Sequence, residues 1–122
     1  MSLSVILFES NPKLAQSLAG GLRSHFPAVQ VTRSREELRD KVAKNRPGAV
    51  VFDIEFSCLT DVQDLHREFP ALPIVCTHRI PDEEMWMAAL EAGASDVCPS
   101  DDVDDVLSSI LRNTSKMRSA AA

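Results

Sequence analysis

Long apolar runs, basic clusters and glycine-rich loops are all missing from this chain, and each gap removes a class of function. The longest apolar segments are strand-sized, far short of the roughly 20 residues that a membrane-spanning helix needs. No charged segment followed by an apolar one opens the sequence as a secretory leader would. The expectation is therefore a soluble, cytoplasmic chain with no membrane partner. Lys and Arg number 13 against 18 Asp and Glu, for a formal net charge of -5. Without a concentrated basic surface to neutralise phosphates, no nucleic-acid partner is expected. The 4 glycines form no phosphate-cradling loop, which leaves a bound nucleotide without support. Cysteine is scarce too: Cys58, Cys76 and Cys98 are odd in number and lack C-x-x-C spacing, and two of them lie inside apolar segments. Reduced, mostly buried thiols fit that pattern better than a disulfide or a zinc site.

What is present is an alternation of strand and helix signals, and 122 residues suffice for one sizeable core but not two. Val5-Ile6-Leu7-Phe8 reads as a first strand, and Asn11-Pro12 as a helix cap followed by proline at the first helical position. Leu14, Leu18 and Leu22 then recur at helical spacing. Val29 to Thr32 is a short second strand, and Ser34 with Glu37 makes a capping box for a second helix carrying Leu38 and Val42. Ala49-Val50-Val51-Phe52 shows no polar alternation, the mark of a strand buried on both faces. Asp61 is the expected cap of a helix through Val62, Leu65 and Phe69. Pro73 to Thr77 gives a fourth strand, and Pro81 starts a helix through Met85, Ala89 and Ala92 that ends at Gly93, a residue suited to the left-handed position. Asp96 to Cys98 is the fifth strand, and Val103, Val106, Leu107, Ile110 and Leu111 share a stripe on the last helix. The domain is expected to span residues 1–113, with residues 114–122 a flexible tail of small and basic residues.

Strands joined by helical crossovers require a parallel sheet covered on both faces. The expected architecture is an α/β three-layer sandwich of flavodoxin-like type, a five-stranded parallel sheet of order 2-1-3-4-5 with five helices. That order brings the ends of strands one and three together at the switch point, where such sheets hold their chemistry. Glu9, Ser10 and Asp53 then share one crevice.

Val5 to Pro12, Val50-Val51-Phe52-Asp53, Leu72-Pro73-Ile74-Val75 and Leu90-Glu91-Ala92-Gly93-Ala94-Ser95-Asp96 together resemble the CheY-like receiver domain of two-component response regulators, over nearly the whole chain. The resemblance implies a non-enzymatic signalling module whose aspartate accepts a phosphoryl group from a histidine kinase. It is helped by Mg²⁺ on an acidic pair, a Thr or Ser after strand four and a Lys after strand five. Asp53 takes the phosphoacceptor position, Glu9 that of the first acid, and Glu55 the position offering a backbone carbonyl to the metal. Thr77 or His78 holds the hydroxyl position, depending on whether a single insertion precedes Gly93.

The departures from the pattern carry as much information. Ser10 replaces the second acid, and counting from Gly93 puts Ser100 at the lysine position and Val97 at that of the aromatic switch, in a chain with 0 tyrosines. Mg²⁺ binds weakly without several hard oxygens. Losing a carboxylate and an ammonium removes transition-state stabilisation on the order of 2 to 4 kcal/mol each. Phosphorylation of Asp53 is thus expected to be slow or absent. Two functions follow: an atypical phosphorelay receiver signalling mainly through protein contacts, or a phosphorylation-independent pseudo-receiver scaffold. A small-ligand-binding flavodoxin-like module is a weaker third, and His78 with Glu9 and Asp53 as a transition-metal site is weaker still.

Plainer roles suffice elsewhere. Ser10 also reads as a helix cap; Asp101, Asp102, Asp104 and Asp105 complement a helix dipole; His25 and His66 read as helix-surface residues. Trp86 pairs with Leu90 on the fourth helix, either partly buried or as a partner surface. The resemblance points to a histidine kinase or other signalling protein, or a homodimer, on the fourth and fifth helix faces. No helix-turn-helix or enzymatic domain follows in this sequence, so the output is expected to be a separate protein or an assembly.

Overall fold

The computed structural model describes residues 4–55 and 57–121, with side chains as far as residue 114. Five strands alternate with five helices along them: β1 (Ser4–Phe8), α1 (Pro12–Arg23), β2 (Ala28–Thr32), α2 (Arg35–Asn45), β3 (Ala49–Asp53), α3 (Leu59–Glu68), β4 (Ile74–His78), α4 (Glu83–Ala92), β5 (Asp96–Pro99) and α5 (Val103–Ala121). The strands form one sheet of order β2-β1-β3-β4-β5, and every neighbouring pair is parallel. The expected architecture is the observed one.

The apolar runs explain the layering. Successive strand side chains point to opposite faces, so Ile6, Phe8, Val50, Phe52 and Cys76 pack with Leu38, Val62 and Leu65 under α2, α3 and α4. Their neighbours Leu7, Val51, Val75 and Cys98 pack with Leu18, Leu22, Val106 and Ile110 under α1 and α5. Both faces of β3 are covered, which is why its sequence shows no alternation. Phe8 and Phe52 meet with ring centroids 4.9 Å apart, joining β1 to β3 below the site.

Helix starts follow the sequence at Asn11 and Ser34, and Asp102, expected only to complement the helix dipole, adds a third cap. The Asn11 side chain accepts from the N–H groups of Lys13 and Leu14, Ser34 from Glu37, and Asp102 from Asp105, each satisfying donors that a helix leaves open. Gly93 closes α4 at φ 113, as expected of a glycine at that position.

Several expectations are corrected. Cys58, not Asp61, occupies the cap position of α3; Asp61 lies in the first turn and pairs with Arg35 of α2 at 2.7 Å. Leu111, expected on the core stripe of α5, is exposed. His66, expected on a helix surface, is half-buried with Nδ1 unpartnered, because Gly93 has no side chain to hold its ring away. Past residue 113 the helical backbone runs on to Ala121, in a stretch with neither proline nor glycine to stop it.

Candidate functional site

The carboxyl edge of the sheet collects polar side chains through strand parity. Leu7, Val51, Val75 and Cys98 all face the α1/α5 layer, and Glu9, Asp53, Thr77 and Ser100 each lie two residues further along. Period-two alternation therefore aims all four toward the same side of the sheet edge. Phe8 pairs with Phe52 in register, which puts Glu9 beside Asp53. Asp53 pairs directly with Thr77, and Thr77 with Cys98. Ser100 is tied to this edge by its N–H, which donates to the His78 carbonyl at 3.0 Å.

Asp53 is 1% exposed, and both of its oxygens are engaged. Ser10 Oγ donates to Oδ2 at 3.1 Å, and the Glu55 N–H donates to Oδ1 at 2.9 Å. Glu9 is 2% exposed; its Oε2 accepts from the Asn11 N–H at 3.2 Å, while Oε1 is buried without a partner. Burial pushes the Glu9 carboxyl up from 4.5 to about 7; the Asn11 N–H opposes the rise, and the charges of Asp53 and Glu55 add to it. Thr77 Oγ1 and Ser100 Oγ are likewise buried and unpartnered. Of the four such atoms among the described residues, three belong to this edge and only His66 Nδ1 lies elsewhere. Unsatisfied buried groups are rare, and their clustering marks an edge built for polar chemistry rather than packing.

Of the two residues considered at the end of the fourth strand, Thr77 is the register partner of Asp53. His78 follows it and so faces the other way; its Nδ1 accepts from the Ile80 N–H at 3.1 Å, within its own loop. The third carboxylate, Glu55, is not solitary. Its Oε1 accepts from Arg79 Nε at 2.6 Å, an ion pair that sequence inspection missed. The available signal was position: Arg79 is the first residue after β4, at the edge where the acids collect.

Mg²⁺ is implied by the resemblance, and the donors present test it. Glu9 Oε1 is a buried oxygen of the right kind, but Ser10 contributes only a hydroxyl that donates to Asp53, and Glu9 is displaced toward its neutral form. Among the described residues no group of three or more His, Cys, Asp or Glu is arranged to hold a metal. The set does not fit a firmly held divalent cation.

No protein-family model and no curated protein matches the sequence. Solved structures do match the fold. A CheY-like response regulator receiver domain protein from Methanospirillum hungatei is 18% identical at a TM-score of 0.82, with 98% of this chain and 99% of that one covered. The N-terminal signal receiver domain of a two-component response regulator from Bacteroides fragilis is 21% identical at 0.85, covering 93% and 98%. A two-component response regulator from Clostridium difficile is 17% identical at 0.80, covering 93% and 96%. The chain has the receiver fold.

Identities at that level carry the architecture and not the activity. Within the receiver fold, Asp53 and Glu9 lie at the switch point between β1 and β3. On the far side of the sheet, α4 exposes Trp86 by 43% and Met87 by 52%, while Leu90 is half-buried. Burial opposes ionisation of Asp96, yet hydrogen bonds from Ser109, the Val97 N–H, Arg112 and Trp86 outweigh it and hold the carboxyl below its usual range. Ser109 and Arg112 of α5 donate to Asp96 of β5 at 2.7 and 2.8 Å, tying the two elements together.

Proposed function

We propose that this chain is an atypical receiver domain of phosphorelay signalling, in which Asp53 accepts a phosphoryl group slowly and the output is a change in protein contacts. The observation that carries this reading is the gathering of Asp53, Glu9 and Thr77 on one face of the sheet edge, with Ser10 on Asp53 and Ser100 where a cation is expected. The acceptor is a nucleophilic carboxylate. An Asp53 oxygen forms a bond to phosphorus as the P–N bond of a phosphohistidine donor breaks, and the imidazole leaves with the electron pair and takes up a proton. Ser10 and the Glu55 N–H hold the carboxylate in place and must loosen their hold on the attacking oxygen. Glu9, Asp53 and the Glu55 carbonyl offer Mg²⁺ at most a weak site. A histidine kinase as donor places the domain in the cytoplasm.

A second reading, a scaffold independent of phosphorylation, is favoured by Ser100: its buried, unpartnered hydroxyl supplies no positive charge. In either case the partner surface is the α4 face around Trp86 and Leu90, for a signalling protein or a second copy of the chain. A small phosphodonor with Mg²⁺, followed by intact mass, separates the two readings. Slow addition of one phosphoryl group to the wild type, absent in Asp53→Asn, supports the first. No addition under forcing donor concentrations supports the scaffold.

A further inference from the structure

The missing lysine leaves the charge at the sheet edge unbalanced, and the structure supplies an unassigned cation there. Glu9, Asp53 and Glu55 bring three carboxyl groups together. Arg79 pairs with Glu55 at 2.6 Å, and Glu55 in turn donates its N–H to Asp53 at 2.9 Å. Lys13 in the first turn of α1 and Arg33 directly after β2 also lie toward the carboxyl end of the sheet, and neither pairs with any of the three carboxylates among the described ion pairs. We propose that Arg79, from the loop after β4, supplies the charge that neutralises a phosphoryl group on Asp53 in place of the absent lysine, using Glu55 as its resting anchor. The proposal rests on Asp53 being the acceptor.

The chemistry of the side chain supports the assignment. A guanidinium carries five N–H donors in a planar fork suited to phosphate oxygens. Glu55 engages Nε, and among the described contacts no partner is found for the two terminal nitrogens. Arg79 can therefore meet an anion on Asp53 while Nε stays on Glu55. Its side chain is 64% exposed, against 11% for Glu55, so the arginine is the movable partner and the carboxylate the fixed one. Exposed ion pairs hold weakly, which leaves the guanidinium ready to turn. In the transfer step the Asp53 O–P bond forms as the donor P–N bond breaks. Arg79 takes no proton; it neutralises charge accumulating on the phosphoryl oxygens.

Beryllofluoride, which coordinates a carboxylate oxygen without any bond-breaking chemistry, separates binding from rate. Its affinity is measured by ¹⁹F NMR at constant Mg²⁺ for wild type, Asp53→Asn, Arg79→Ala, Arg79→Lys, Lys13→Ala and the pair Arg79→Ala with Ser100→Lys. Losing a charge-assisted contact is expected to weaken Arg79→Ala by about 10- to 100-fold. Arg79→Lys should retain most of the affinity, Lys13→Ala all of it, and Ser100→Lys should restore what Arg79→Ala lost. Arg79→Ala within about twofold of a wild type that binds through Asp53 overturns the role of Arg79 while the acceptor reading stands. A wild type that binds no better than Asp53→Asn overturns both.

Discussion

Glu9 is 2% exposed, and this burial governs how its carboxyl titrates. Folding raises its pKa from 4.5 to about 7, so between those values the folded protein holds a proton that the unfolded chain releases. Stability is greatest below the lower value, falls as pH rises through the window and is level above it. The loss is on the order of 3 kcal/mol. Glu9→Gln removes the titration, and the variant should match the wild type near about pH 4 and exceed it by roughly 2 to 3 kcal/mol near about pH 8. Urea midpoints at the two pH values check this; an equal difference at both would show that Glu9 does not titrate there. Asp53 and Glu9 were legible in the sequence because each ends an apolar run. Arg79 was not, since its partner Glu55 is far away in sequence and an isolated arginine in a loop carries no pattern.

The junction of α3 with the end of α4 shows where a sequence signal was read for only part of its meaning. Gly93 was legible as a helix terminator, and its φ of 113 agrees. It also makes room for His66, whose ring would collide with any Cβ at that position. Gly93→Ala therefore meets backbone strain and a clash together, and should destabilise the protein by about 1 to 3 kcal/mol. Chemical denaturation tests this, and a change under about 0.5 kcal/mol would mean that the junction relaxes freely. Gly21 is a similar case: it lies inside α1, where a side chain would run into Val103 of α5. Asp61 was misread because an acid near a helix start looks the same whether it caps the helix or pairs with an arginine of a neighbouring one. Strands, being short apolar runs bounded by turns, were the most legible elements.

Across the whole molecule, polar groups collect in two places. The Asp53 edge gathers unsatisfied polar atoms, whereas β5 and α5 are joined by hydrogen bonds from Ser109 and Arg112 to Asp96. The five-stranded parallel architecture was legible from strand-helix alternation, but the Ser109 and Arg112 hydrogen bonds to Asp96 join residues far apart in sequence whose types suggest no partnership. If the α4 face mediates self-association, Trp86→Ala and Met87→Ala should each weaken it by about tenfold or more in sedimentation equilibrium. Identical curves for wild type and both variants would remove that surface from the account.

Under the proposed function, Asp53 is a working acceptor slowed by its surroundings. Its most direct test is the time course of phosphorylation by a small phosphodonor, read by intact mass, in wild type, Asp53→Asn and the pair Ser10→Asp with Ser100→Lys. The account predicts slow, Asp53-dependent labelling of the wild type, none in Asp53→Asn, and at least about 100-fold faster labelling once the acid and the lysine are restored. Wild-type labelling as fast as that of the restored pair would contradict it.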